Sequence, residues 1–360
     1  MKKIVFVMRQ LHGGGAERVT AALCNEICRD SEYEVHFVSY PHAQEKDYPL
    51  EEKIVRHCMK PTEGRRLKGI LDRLHFLRNT IREIEPDCVV SLDGAKMIIV
   101  LALAMAGTGI PLILSERNDP AKYPQGKALR FLRDCTYAVC RGVVFQTRGA
   151  MAYFPGFIRK KGTVISNPLS DQLPPAFEGS REPRIVNFCR LTKQKNLELL
   201  IDAFGDILPE FPDYTLHIYG DGPERQTLEQ KILDAELSKN VILHGYQESV
   251  YAHIAAASAY VSSSDYEGIS NSMLEAIALG IPSICTDCPP GGARETIRDG
   301  VNGILVPVGD RAALADAMRR VLSDQTLAAS LSREGQLLRE KLSVSGIARQ
   351  WLTYIEQTVG

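Results

Sequence analysis

Short apolar runs alternate along the chain with longer stretches in which apolar residues recur every three or four positions. Ile4–Met8, Val35–Tyr40, Cys88–Leu92, Leu112–Ser115 and Val143–Gln146 have the length and makeup of buried parallel strands. Helical spacing lies between them, as in Val19, Leu23 and Ile27. A second series begins at Ile185–Cys189 and continues through Thr215–Tyr219, Val241–Leu243, Tyr260–Ser262, Pro282–Cys285 and Ile304–Val306, with a helix at Leu197–Leu208. The join, Ser166–Arg184, has four prolines and little apolar content, as a linker does. The βα alternation predicts an α/β protein of two Rossmann-like, doubly wound parallel-sheet domains, residues 1–168 and 169–343, facing a cleft where strand ends converge. Trp351 and Tyr354 predict that a final helix, 344–360, packs back on the first domain.

Met97–Leu114 is uncharged and long enough to raise the question of a membrane span. Gly107-Thr108-Gly109-Ile110-Pro111 divides it into a helix over about 95–106 and a strand over about 112–115, so a buried helix–turn–strand is expected. The start, MKKIVFVM, is too short for a signal segment and reads as a first strand. The net charge of −1 hides an asymmetry: residues 1–170 carry 26 Lys+Arg against 18 Asp+Glu, and the rest carry 17 against 26. Only the first half therefore suits an anionic surface. Within it, the stretch Arg65–Arg82 is a basic amphipathic helix with Leu67, Ile70 or Leu71, Leu74, Leu77 and Ile81 on one face. Contact with an anionic membrane and a solvated basic face both fit it, and Lys122, Lys127, Arg130 and Arg133 add a second basic cluster. Nine scattered cysteines, including Cys285-x-x-Cys288, lack the further ligands of a zinc site and suit a reducing cytoplasm.

The candidate chemistry sits in loops after strands. Gly13-Gly14-Gly15 follows the first strand and opens a helix, which lets backbone N–H groups approach a ligand. The dinucleotide fingerprint G-x-G-x-x-G is absent there, which sets aside a dehydrogenase, and no G-x-S-x-G elbow supports a lipase. Arg190 and Lys195 flank a helix start after Cys189, where a diphosphate would lie. Gly220-Asp221-Gly222-Pro223-Glu224 forms a turn at the cleft rim, with Pro223 expected in a first helical turn, and His244-Gly245-Tyr246-Gln247 is a candidate base pocket. Asp265–Pro282 places Ser270, Asn271 and Ser272 between two carboxylates, Glu267 and Glu275. This is a phosphate seat beside groups suited to hold sugar hydroxyls.

Taken in order, G-G-A-E, R-L-x-x-x-K-N, G-D-G-P-E, H-G-Y and E-x7-E resemble family 4 of the retaining glycosyltransferases, with the GT-B fold. The resemblance covers essentially the whole chain and is strongest over Arg184–Leu314, including Pro289–Glu295 and Asp299–Gly303. Within that family the chain is similar to bacterial transferases that add N-acetylgalactosamine or a related hexose to undecaprenyl-diphosphate-linked oligosaccharides. The resemblance implies that Arg190 and Lys195 bind the leaving diphosphate, Glu267 the sugar hydroxyls and Glu275 the ribose. It further implies that Asn196, Gly220, Tyr246, Gln247 and the N–H groups around Ser270, Asn271 and Ser272, with Gly14 and Gly15, complete donor binding. No metal or other cofactor is implied, and no Asp-x-Asp motif is evident. Nucleic acid is not an expected partner.

One position departs from the family. Where its members often have Ser or Thr, any residue, then a His that contacts the sugar, this chain has Ser115-Glu116-Arg117; arginine does not act as a base near neutral pH, but Arg117 can still bind substrate by donating to a sugar hydroxyl or a phosphate. The expectation is a cytoplasmic transferase, peripheral on the inner membrane face, moving a hexose or N-acetylhexosamine from a UDP-linked donor to a lipid-linked or polysaccharide acceptor. Two other readings stand beside it: a catalytically silent donor-binding subunit, and a sugar-nucleotide epimerase of the same architecture.

Overall fold

The computed structural model describes residues 1–30, 32–40, 46–59 and 66–360, with the side chains of 66 and 67 left aside. The chain divides into two compact units, Met1–Pro168 with Leu342–Gly360, and Leu169–Lys341.

The first unit is built on seven parallel strands: β1 (Lys2–Met8), β2 (Tyr33–Ser39), β3 (Val55–Cys58), β4 (Cys88–Ser91), β5 (Leu112–Glu116), β6 (Gly142–Phe145) and β7 (Gly162–Val164). Their order is β3-β2-β1-β4-β5-β6-β7. Val5, Val7, Val89, Leu114, Val143 and Phe145 form its core with residues such as Leu77, Leu101 and Tyr137. Apolar side chains on these strands are buried because helices cover the sheet. The uncharged stretch resolves into the helix Ala95–Met105 and strand β5, as its glycines and proline predict. Among the described residues no helix is long and apolar enough to cross a membrane.

Two strands went unread in the sequence. β3 is a half-exposed edge of mixed polarity, and β7 has only three residues. The basic helix runs Arg66–Ile84, and Arg65 lies outside the described residues. Its expected apolar face is only partly covered, since Leu77 and Ile81 are buried while Ile70 and Leu71 are exposed. The helix Val344–Val359 packs against the helix Gly15–Cys28. Trp351 is fully buried, the Tyr354 hydroxyl accepts from Val143 N at 2.8 Å, and Glu356 accepts from Tyr33 Oη at 2.7 Å. Gly142 makes room for that tyrosine, because a Cβ there would lie 2.6 Å from its hydroxyl.

The second unit holds six parallel strands: β8 (Glu182–Phe188), β9 (Thr215–Tyr219), β10 (Val241–Gly245), β11 (Ala257–Ser262), β12 (Ser283–Thr286) and β13 (Ile304–Val306). Their order is β10-β9-β8-β11-β12-β13. Ile185, Leu216, Ile218, Val261 and Ile284 meet Leu200, Phe204, Leu314 and Met318 in its core. The expected first-turn proline is corrected: the helix begins at Arg225, and Pro223 lies in the turn before it. Gly222 is what that turn requires, because a Cβ on it would lie 2.3 Å from Leu191 O.

In each sheet the strand order reverses beside its first strand, between β1 and β4 and between β8 and β11. Loops leaving such neighbours diverge to opposite faces and open a crevice at the carboxyl ends, where ligands of open α/β sheets bind. The Gly13–Gly15 turn follows β1, and the loops holding Arg190–Asn196 and Asp265–Ser270 follow β8 and β11.

Candidate active site

In the second unit, the β8 and β11 loops are tied together by polar groups. After β8 the chain makes a 3-10 turn at Lys193–Lys195, and Asn196 then takes a left-handed conformation, φ 45°. Asparagine tolerates that region better than most residues. Its side chain is fixed by donating from Nδ2 to Asp265 Oδ1 at 2.8 Å, and Asp265 N donates to Gln194 O at 2.9 Å. The Ser263 hydroxyl bonds Lys195 O and Asn196 O at 3.0 and 2.8 Å. This bracing aims Lys195 at Glu267. The ammonium donates to Glu267 Oε2, and Gln194 Nε2 reaches the same oxygen at 3.2 Å. Burial alone would pull the Lys195 ammonium down, but the Glu267 carboxylate outweighs it and leaves its pKa raised. The cation is therefore charged at neutral pH.

Beyond Glu267, Ser270 caps the helix Asn271–Ala278, accepting from Met273 N. As at any helix start, the N–H groups of Asn271 and Ser272 make no bond within the helix, and with the helix dipole they favour an anion. Glu275, one turn along, is buried at 3% exposure. A small cavity of about 10 Å³ adjoins this end, lined by residues that include Glu267, Gly268, Ser270, Thr286 and Cys288. The Glu267 loop is held from beneath: Glu267 N donates to Pro289 O at 2.9 Å, and a Cβ on Gly292 would lie 1.6 Å from Gly268 O. Cys285 and Cys288 are buried free thiols, and burial pushes Cys288 up to about 12, which makes them packing residues rather than reactive ones.

The remaining residues of this unit lie on the same carboxyl edge. Arg190 is exposed after β8. Gly220, φ 127°, follows β9 and passes so close to Cys189 O that a Cβ would lie 1.8 Å away. Tyr246 follows β10 and is 76% exposed, and Gln247 Nε2 donates to His244 O at 3.3 Å. His244 stacks on Tyr219, with ring centroids 4.4 Å apart. Sequence reasoning missed Gln194, Ser263 and Asp265; the polar run Ser262–Asp265 straight after an apolar strand was the available signal.

The first unit holds Gly14, which caps the helix Gly15–Cys28, and exposed Gly15. Arg117 follows β5. One of its nitrogens, Nη2, donates to Asn167 Oδ1, which also accepts from Gln146 Nε2 at 2.7 Å. Burial pulls the Arg117 pKa down to about 10, partly offset by Glu116 and Tyr137. Glu116 is itself buried, and burial raises it to about 7 against the pull of Arg133, whose Nη1 lies 3.4 Å from its Oε2.

A strand-end cation paired with a glutamate, beside a serine-capped helix, has the chemistry to hold a phosphorylated, hydroxyl-rich ligand. The Glycosyltransferase Family 4 model matches residues 13–172, and the Glycosyl transferases group 1 model matches residues 173–337. The chain belongs to the family 4 glycosyltransferases. This transferase is 28% identical to an alpha-1,4-N-acetyl-D-galactosaminyltransferase of Campylobacter jejuni whose name specifies a diNAcBac-PP-undecaprenol-linked substrate, over 99% of each chain. It is 25% identical to a second Campylobacter jejuni protein, a diphospho-undecaprenol 4-alpha-N-acetylgalactosaminyltransferase, over 99% of this chain and all of that one. Its fold matches HepE of Anabaena, solved with UDP-glucose, at a TM-score of 0.84 and 18% identity, covering 99% of this chain and 100% of that one. The transferase thus has the GT-B architecture of two Rossmann-like units.

Proposed function

We propose that this transferase retains anomeric configuration and moves a hexose or N-acetylhexosamine from a UDP sugar to a lipid-linked or polysaccharide acceptor in surface-glycan assembly. The observation that carries the reading is the braced Lys195–Glu267 pair beside the Ser270-capped helix. In this reading Arg190 and Lys195 meet the charge that grows on the departing diphosphate, usually the largest catalytic contribution. The N–H groups at Asn271 and Ser272 seat a phosphate, Glu275 holds the ribose, and Glu267 aims the sugar through its hydroxyls. Asn196 and Gly220 shape the loops around the diphosphate, and Tyr246 and Gln247 border the base. Protein cations supply the positive charge, so the reading calls for no metal ion.

The second unit is assigned to the donor and the first to the acceptor. The helix Lys127–Val139 supports work at an anionic membrane face, because exposed Phe131 and Leu132 share it with Lys127 and Arg130. The Campylobacter relatives, named for undecaprenol-linked substrates, support a lipid-linked acceptor.

The test is UDP release from a panel of UDP sugars, with and without undecaprenyl-diphosphate-linked glycan, repeated with chelator and with the product anomer read by NMR. The expected result is acceptor-dependent release, insensitive to chelator, giving the α-product from an α-donor and falling strongly in Glu275→Ala. No release from any donor, or an isomerised donor without acceptor, overturns the reading.

A further inference from the structure

Arg117 poses a problem that the first unit does not solve internally. Three neighbouring strands, β5, β6 and β7, deliver Arg117, Gln146 and Asn167 to one place on the carboxyl edge of the sheet. Asn167 and Gln146 are buried, and Asn167 Oδ1 accepts from both of the others. That leaves the guanidinium nitrogens Nε and Nη1 sealed from solvent and, among the described residues, without an acceptor. The adjacent carboxylate does not fill the gap. Glu116 Oε1 accepts from the backbone N–H groups of Arg117 and Asn118 at 3.0 and 3.2 Å, and Oε2 faces Arg133 and the Tyr137 hydroxyl, each at 3.4 Å. A buried guanidinium with idle donors is costly, and proteins keep such groups where a ligand completes them.

We propose that Arg117, oriented by Asn167 and Gln146, is a specificity-determining seat for an oxyanion of the substrate, either a sugar carboxylate or a phosphate. The guanidinium is always charged near neutral pH and offers planar donors that suit both groups. A neutral sugar hydroxyl would satisfy one donor and leave the charge unmatched. The seat thus selects for a substrate that is acidic at this point, and it deepens the transferase reading, on which it rests.

The test uses the full chain, with inorganic phosphate, glucuronate, glucose and UDP as probes in thermal-shift titrations of wild type, Arg117→Gln and Asn167→Asp. Phosphate or glucuronate should stabilise the wild type and glucose should not. Arg117→Gln should weaken the preferred anion about tenfold to a hundredfold, the loss expected for hydrogen bonds to a charged group. Its ligand-free melting temperature should equal or exceed that of wild type, because an uncompensated charge has gone. Asn167→Asp supplies an internal carboxylate and should also raise the melting temperature while lowering anion affinity. A preference for glucuronate identifies a sugar carboxylate, and a preference for phosphate a phosphate group. Equal anion affinity in wild type and both variants overturns the inference. A wild type that UDP does not stabilise counts instead against the transferase reading, so the two failures are distinguishable.

Discussion

Lys195 neutralises Glu267 and, in the proposed mechanism, also helps a diphosphate leave, and a double substitution separates the two. The two side chains are 15% and 21% exposed, between a surface ion pair and a buried one. Surface pairs contribute about 0–1 kcal/mol, and breaking a buried pair costs about 3–5 kcal/mol, so Lys195→Ala should lower stability by about 2 kcal/mol. Most of that cost is the orphaned carboxylate, since among the described residues only Gln194 Nε2, at 3.2 Å, remains to meet Oε2. Adding Glu267→Gln should therefore bring stability back to within about 1 kcal/mol of wild type. Turnover should behave differently. Losing a charged group aimed at the leaving diphosphate costs about a hundredfold to a thousandfold in kcat, or about 3–4 kcal/mol. The double variant should stay at that low level or fall further. Urea denaturation reads the first quantity and UDP release at saturating donor the second. If Glu267→Gln restores turnover along with stability, Lys195 serves only its glutamate, and the assignment to the diphosphate is wrong.

The buried carboxylate of Glu116 makes a pH prediction. Its folded pKa of about 7 lies above the ordinary 4.5, so the native state holds the proton more tightly than the unfolded chain. Stability should fall as pH rises from about 4.5 to 7 and then level off. Glu116→Gln removes that dependence, and above about pH 7 the variant should be more stable than wild type by up to about 3 kcal/mol. Parallel stability–pH curves for the two proteins would refute it. Gly292→Ala forces a Cβ to 1.6 Å from Gly268 O, a backbone atom with no rotamer to yield. It should cost about 3 kcal/mol and depress turnover by shifting the Glu267 loop. Gly291→Ala, at φ 98° with nothing within 4 Å, should cost only the left-handed backbone penalty of about 1–2 kcal/mol. The reverse order of melting temperatures would count against this account.

Most of the fold was legible because parallel strands buried on both faces leave continuous apolar runs, as at Ile4–Met8 and Val143–Phe145, and loops between them carry glycine and proline. β3 was not, because an edge strand reading Val-Arg-His-Cys is exposed on one side and loses that pattern. In the site, Arg190, Lys195, Glu267 and Glu275 were visible as charges at predicted strand or helix ends. Their bracing was not: that Asn196 adopts a left-handed turn, or that Ser263 bridges two carbonyls of another loop, depends on contacts 67 and 68 residues apart. Gln146 and Asn167 escaped for a similar reason, since an amide after a strand carries no mark of the guanidinium it will meet.

The helix Val344–Val359 belongs to the unit whose sheet is made first. During synthesis, β1 to β7 emerge, then the entire second unit, and only afterwards the helix whose Tyr354 meets Val143 and whose Trp351 is fully buried. The helix Gly15–Cys28 consequently keeps an apolar flank uncovered while the later unit is being made. The unit encoded second is thus the first able to close on the ribosome. Nascent-chain protease protection should appear over Leu169–Lys341 before it is complete over Met1–Pro168.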